Sequence, residues 1–297
     1  MQKVKVEINI MPSFEKLANH LNLKKNTKEH YAQAAIDYLN ELKGSEGFIY
    51  QHYSPGGTQD KAISRLYYSD ENAKKIDAIR SAIEMWKQLS FINEEEFAIL
   101  LYSLLEEASR SANTTGTMSS FLKSWTLRAL RPLQLQLPLI IPSNNHHRVF
   151  CQNSLDLLRE LEVIDILYLD PPYTRAQYAA SYHLLETIAR WDQPTLYGVT
   201  GKRDITPLKS AFSIKRQMLQ AVEIILASSC YRHLLMSYSN DSLISHEALL
   251  QLLQYYGEVS VSMQLLKRYN SMSRNDPRTN PRTQVEERLY YLKPRIV

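Results

Sequence analysis

Asp170-Pro171-Pro172-Tyr173 is the stretch whose residue types could do chemistry together. Asp170 offers a carboxylate, a pure acceptor when ionised. Pro171 and Pro172 fix φ and remove two backbone donors, which leaves a stiff turn presenting carbonyl oxygens. Tyr173 offers a flat ring. An exocyclic amine on a flat heterocycle needs two acceptors for its hydrogens and a surface for its ring. The Asp170 carboxylate and a prolyl carbonyl meet the first need, and Tyr173 meets the second. An amine held this way has its electron density drawn toward nitrogen, ready to attack a methyl sulfonium. The chemistry asks for no metal. A bare Asp-Pro-Pro is also an ordinary strand-ending turn, so context separates the two readings.

That context is an alternating pattern. Residues 165–170, DILYLD, form a near-continuous apolar run, which predicts a strand buried on both faces of a parallel sheet. Such a strand delivers the four residues to its carboxyl end, where open α/β sheets place ligands. Around it, 147–152 and 231–239 read as strands, and 154–161, 183–191, 213–229 and 245–257 as helices, the last ended by Gly257. Residues 258–269 and 285–294 predict a terminal strand pair around a basic loop. The first half is mainly helical. Residues 13–43, 69–89 (N-capped by Ser69 or Asp70), 94–112 and 119–130 carry helical spacing, while 47–57 reads as an extended piece ending in a turn.

Composition narrows the classes. The chain has 297 residues, 44% of them hydrophobic, enough for a real core. A net charge of +4 suits a nucleic-acid partner without demanding one. Cys151 and Cys230 form no CxxC pair, which argues against zinc sites and a disulfide framework and for a reducing, cytoplasmic setting. No apolar run approaches the ~20 residues of a membrane span. The amino end lacks the pattern of a signal peptide. Glycine is scarce, eight residues with no GxG among them.

The string LYLDPPYTRAQYAASYHLLETI resembles the D12-class, Dam-like adenine-specific DNA methyltransferases of restriction–modification systems. So do EEASRSANTTGTMSSFLKSW, HRVFCQNSLDLL, LLMSYSND and VEERLYYL; together they span most of residues 50–292. The resemblance implies an S-adenosylmethionine-dependent, Rossmann-like α/β sheet with an inserted helical DNA-recognition region. It implies that the target adenine is flipped into the site. Asp170, Pro171 and the Pro172 backbone would hold the N6 amine, and Tyr173 would stack on the base. Asp170 would also lie near the methyl donor, and Cys151 and Asn153 near the donor's adenine, where the family often has an acid.

One departure is large. The family's amino-terminal aromatic-Gly-Ser-Lys-like segment and FxGxG strand, whose glycines let backbone approach the donor, have no counterpart here. The expectation is an incomplete sheet: residues 1–68 as helices with a remnant of the cofactor half, 69–146 as the helical recognition insertion, and 147–297 as the catalytic α/β region. Three readings stay open: a subunit completed by a partner carrying the FxGxG loop, an inactive DNA-binding fragment, or a divergent donor site without glycines. Double-stranded DNA is the expected partner, with a cognate restriction endonuclease as another.

Recognition would fall to Arg110, Asn113, Thr114, Thr115, Lys123, Arg128 and Arg131 around Gly116. A solvated helix–loop–helix is the plainer reading of that charge. Arg175, Gln177, Tyr178, Tyr182 and His183 form a polar–aromatic cluster that could fill a vacated base stack. Plain helix packing for Tyr182 and a surface cap for His183 are equally good readings. The basic loop between Leu266 and Arg295 is a phosphate-contact candidate or a solvated hairpin tip.

Overall fold

A computed structural model describes residues 12–22, 28–61, 63–141, 145, 147–172, 174–228, 230–267 and 284–295. In chain order the elements are α1 (Glu15–His20), α2 (Lys28–Glu41), α3 (Phe48–Tyr53), α4 (Pro55–Thr58), α5 (Asp70–Gln88), α6 (Glu94–Ser111) and α7 (Ser154–Leu157). There follow β1 (Ile164–Leu169), α8 (Tyr178–Ser181), α9 (His183–Arg190), β2 (Leu196–Tyr197), β3 (Lys202–Arg203), α10 (Lys215–Ala227), β4 (Tyr231–Ser239), α11 (His246–Tyr256), β5 (Gly257–Lys267) and β6 (Gln284–Pro294). The described residues fall into two compact units. A helical unit takes residues up to 150 together with 182–205, and a sheet unit takes 151–181 together with 206 onward.

The helical unit is built on α5 and α6, whose ends are written locally. The Ser69 side chain accepts from Asn72 N–H at 3.2 Å, and Asp70 and Glu71 occupy the first turn of α5. Asn93 and Glu96 form a reciprocal capping box on α6, both bonds 2.9 Å. Ile76, Ile79, Ile83 and Trp86 on α5 share one core with Ile99, Leu100 and Leu104 on α6 and with Ala32, Ile36 and Leu39 on α2. The three- and four-residue spacing aligns each set on one helix face. Buried Arg80 then draws in α9: its guanidinium donates to the carbonyls of Ile188 (2.9 Å) and Ala189 (3.2 Å) and pairs with Glu84 at 2.8 Å.

Two local expectations in this unit are corrected. Residues 48–58 are helical rather than extended, because the Asp77 carboxylate accepts from Ile49 N–H (2.9 Å) and Tyr50 N–H (2.8 Å) and so caps α3 from a distant helix. Burial of Asp77 lifts its carboxyl to about 6 against those bonds. Residues 119–130 form turns rather than a helix. The buried Asn113 amide donates to the carbonyls of Leu122 (3.3 Å) and Ser124 (3.2 Å), and its oxygen accepts from Thr126 N–H at 3.1 Å. Those backbone groups therefore serve a loop clamp rather than a helical ladder.

The sheet unit is a four-stranded sheet of order β1-β4-β6-β5. β1 and β4 run parallel, with Leu167 opposite Leu234 and Leu169 opposite Met236. β6 is antiparallel to both β4 and β5, so the sheet is mixed rather than all parallel. α10 and α11 cover one face, packing Val222, Ile225, Leu249 and Leu253 with Leu234, Met236, Tyr238, Tyr290 and Leu292. The expectation that β1 is buried on both faces is corrected: Ile166 and Tyr168, on the other face, are 59% and 57% exposed. β1 is an edge strand that pairs only with β4 among the described residues. Residues 147–152, expected as a strand, form no ladder, and residues 154–161 are helical only over α7. No helix among the described residues is long and apolar enough to cross a membrane.

Candidate active site

β1 ends at Leu169, and Asp170-Pro171-Pro172 follow at the carboxyl end of the sheet unit's parallel pair. Asp170 is exposed and the two prolines are half-buried. Tyr173 lies outside the described residues. Strand alternation puts Asp170 on the side of Ile166 and Tyr168, the face that α10 and α11 leave uncovered.

The register brings further groups to the same face and end. Tyr168 opposes Leu235, so Leu235, Ser237 and Ser239 of β4 share that face, as do their partners Leu289 (opposite Ser237) and Glu287 (opposite Ser239) on β6. Glu287 senses this arrangement electrically: burial, and then the charge of Asp170, push its carboxyl above the ordinary range. The one sequence signal for Glu287 is its place in the VEERLYYL ending, because proximity to Asp170 follows from β4–β6 pairing across a long connection. Asn240 anchors that connection's return: its N–H donates to Glu286 C=O at 3.0 Å, and its side-chain oxygen accepts from Glu286 N–H at 3.2 Å.

The segment after the two prolines is held by its own clamp. Thr174 Oγ1 accepts from Ala176 N–H at 3.2 Å. The Gln177 amide accepts from Ser210 N–H (2.9 Å) and donates to Ser210 C=O (3.4 Å), and Ser213 Oγ donates to Ala176 C=O at 3.3 Å. Gln177 thus fastens the turn to the loop before α10, while Arg175 and Tyr178 on either side of it are exposed. Cys151 is exposed, and the exposed Asn153 caps α7 by accepting from Leu155 N–H at 3.0 Å.

The remaining sequence candidates belong to the helical unit. Asn113 is fully buried and Thr114 nearly so, both inside the loop that follows α6. Arg128 is exposed yet donates to the carbonyls of Ala112 (2.9 Å) and Thr114 (3.3 Å), bracing the same loop. Arg110 pairs with Glu106 at 2.5 Å, and Lys123 is exposed. His183 is not a surface cap: it is fully buried, its Nε2 lies 2.9 Å from Met118 C=O, and burial lowers its pKa to about 4. The basic loop 268–283 lies outside the described residues.

The chain matches the family model for the D12 class N6 adenine-specific DNA methyltransferase over residues 13–250. It is 33% identical to the modification methylase StsI of Streptococcus sanguinis, over 98% of this chain and 42% of that protein. It is 34% identical to the type II methyltransferase M.NlaIII of Neisseria lactamica, over 87% of this chain and 75% of that protein. With the type II methyltransferase M.FokI of Planomicrobium okeanokoites it shares 36% identity, over 86% of this chain and 38% of that protein. The chain therefore spans less than half the length of two of these relatives and three quarters of the third. No solved structure matches it significantly. The carboxylate and prolines that follow a parallel strand and the match across most of the chain agree: the chain belongs to the D12 class of N6 adenine-specific DNA methyltransferases.

Proposed function

We propose that this chain carries the amine-binding and DNA-contacting parts of an enzyme that transfers a methyl group from S-adenosylmethionine to N6 of adenine in duplex DNA, within a cytoplasmic restriction–modification system. The observation that carries the reading is Asp170-Pro171-Pro172 at the carboxyl end of β1 in a D12-class chain. The relatives' names, modification methylase and type II methyltransferase, support the biological setting.

The flipped adenine presents its N6 amine to Asp170 and to a prolyl carbonyl, and Tyr173 supplies the stacking surface. Two acceptors fix both N–H vectors and leave the nitrogen lone pair directed out of the base plane. The exposed side chains Lys123, Arg110, Arg128, Arg175 and Tyr178 are assigned to DNA, with Asn113, Thr114 and Gln177 shaping the loops that present them. Residues 69–146 are the recognition insertion, and the four-stranded sheet is part of a larger Rossmann-like one.

The donor is a separate matter. S-adenosylmethionine supplies the methyl group, and its glycine cradle does not fit the residues present. The sheet unit's single glycine is Gly257, and its φ of 176° is extended backbone. Cys151 and Asn153 stay assigned to the donor's adenine end. The FxGxG segment comes from outside this sequence, in a second subunit or in more of the same protein. A cognate endonuclease completes the system.

The test is transfer of labelled methyl groups to duplex DNA by the protein as its own genetic context expresses it, read as N6-methyladenine. Asp170→Ala should lower transfer by at least ~100-fold. An undiminished rate in that variant would overturn the site, and methyl transfer to cytosine alone would overturn the reaction class.

A further inference from the structure

A cleft of about 470 Å³ in the helical unit is lined by Phe48, His52, Lys61, Arg65, Gln193, Pro194, Thr195 and Leu196. Its basic groups are not balanced by acids. Lys61 Nζ sits 3.3 Å from His52 Nδ1. Arg65 is 7% exposed, and its guanidinium donates to the carbonyls of Val199 (2.8 Å), His52 (3.0 Å) and Gly198 (2.9 Å). Those bonds satisfy three of its five N–H groups without cancelling its charge. Among the described residues no carboxylate lines the cleft, and the nearest acid in sequence to Gln193, Asp192, is held by Arg203 at 2.6 and 3.0 Å. Burial disfavours the charged form of all three groups, and repulsion by neighbouring cations adds to it at His52 and Lys61. Burial and then the charges of Lys61 and Arg65 hold His52 below its usual range, burial and Arg65 do the same to Lys61, and burial depresses Arg65.

A concave site with uncompensated, partly buried positive charge is stabilised by an anion. Gln193 and Thr195 add neutral hydrogen-bonding side chains beside Lys61. We infer that this cleft takes a backbone phosphate of duplex DNA, with the exposed Lys61 ammonium as the contacting cation and the buried Arg65 guanidinium as a fixed charge behind it. The inference rests on the DNA-methylating reading above and adds a contact that neither the four-residue motif nor the loop after α6 includes. A phosphodiester and a free phosphate share this chemistry, so the test separates them.

The experiment is anisotropy of a labelled duplex titrated with the full protein between 50 and 200 mM salt, for wild type, Lys61→Gln, Lys61→Arg and Lys43→Gln, the last an exposed lysine that does not line the cleft. Losing one phosphate contact should lower the slope of log K against log salt by about 0.9 in Lys61→Gln, so that its deficit shrinks roughly threefold from 50 to 200 mM salt. Lys61→Arg should keep the wild-type slope, as should Lys43→Gln. An unchanged slope in Lys61→Gln would overturn the contact while leaving DNA binding intact. An equal loss in Lys43→Gln would assign the effect to diffuse charge and overturn it as well. Competition by millimolar inorganic phosphate, removing the difference between wild type and Lys61→Gln at constant ionic strength, would reassign the cleft to free phosphate. Absence of duplex binding by wild type would remove both this inference and the reading beneath it.

Discussion

Trp86, Leu100 and Ile36 in the helical unit are enclosed on all sides, whereas Ile166 and Tyr168 in the sheet unit stand more than half exposed, next in sequence to the half-buried Leu167 and Leu169. The helical unit closes because α2, α5, α6 and α9 present apolar faces to one another, because Arg80 and Asp77 satisfy helix-end backbone, and because Asn72 and Asn113 satisfy loop backbone from inside. The sheet unit closes on one side only. Its helices cover one face, and β1 keeps an edge without a ladder partner among the described residues. The difference teaches that packing is distributed unequally. The helical unit is closed around its core, and Asp170, the proposed amine-holding carboxylate, stands with Glu287 on the sheet face that packing leaves open.

The largest effect should come from the closed unit. Trp86→Ala removes a side chain that is 1% exposed and should cost ~3–5 kcal/mol in denaturant unfolding. A loss under about 1 kcal/mol would mean that the helical core is looser than its burial implies. Leu234→Ala, on the covered face of the sheet, should cost ~2–5 kcal/mol by the same cavity mechanism.

Next comes a pH effect confined to the helical unit. His183 has a folded pKa of about 4 against 6.5 when exposed. As pH falls from 6.5 toward 4, the unfolded chain takes up a proton that the folded chain refuses, so stability falls over that window by on the order of 2–3 kcal/mol. Asp77, raised from 3.8 to about 6, acts in the opposite sense: its contribution is present below 3.8 and is lost as pH rises through 6. The difference between wild type and His183→Gln in unfolding free energy from pH 7 to 4.5 isolates the histidine. A variant whose pH dependence parallels wild type would show that folding leaves the His183 pKa unchanged.

The smallest effect should be Ile166→Ala, on the open face, at under ~0.5 kcal/mol. It sharpens the contrast with Leu234→Ala, since both residues lie on paired strands and differ in which face they occupy. Equal costs for the two would show that the open face is covered in solution.

Much of this was legible in the chain. The cap of α5, with Ser69 three residues from the N–H it accepts, could be read directly. So could the strand before Asp170 and the terminal pair β5–β6. The misreadings share a cause. Residues 47–57 carry Gly47, Pro55, Gly56 and Gly57 and read as a turn, but α3 is capped by Asp77 from 28 residues away. Residues 119–130 have helical apolar spacing, but Asn113 takes the backbone groups a helix would need. The extended run 147–152 has strand composition, and strand composition forms no strand without a neighbour to pair with.

The sequence by itself determined the four-residue motif, the strand that carries it and the family, because those depend on residue type and short spacing. Tertiary structure alone decided that β1 is an edge strand, that Glu287 feels the charge of Asp170, that His183 is buried rather than capping a surface helix, and that Lys61, His52 and Arg65 crowd one acid-free cleft. Each of those depends on groups far apart in the chain whose meeting is set by register and packing. Burial and charge–charge interaction act through space, and no local pattern of residue types encodes them.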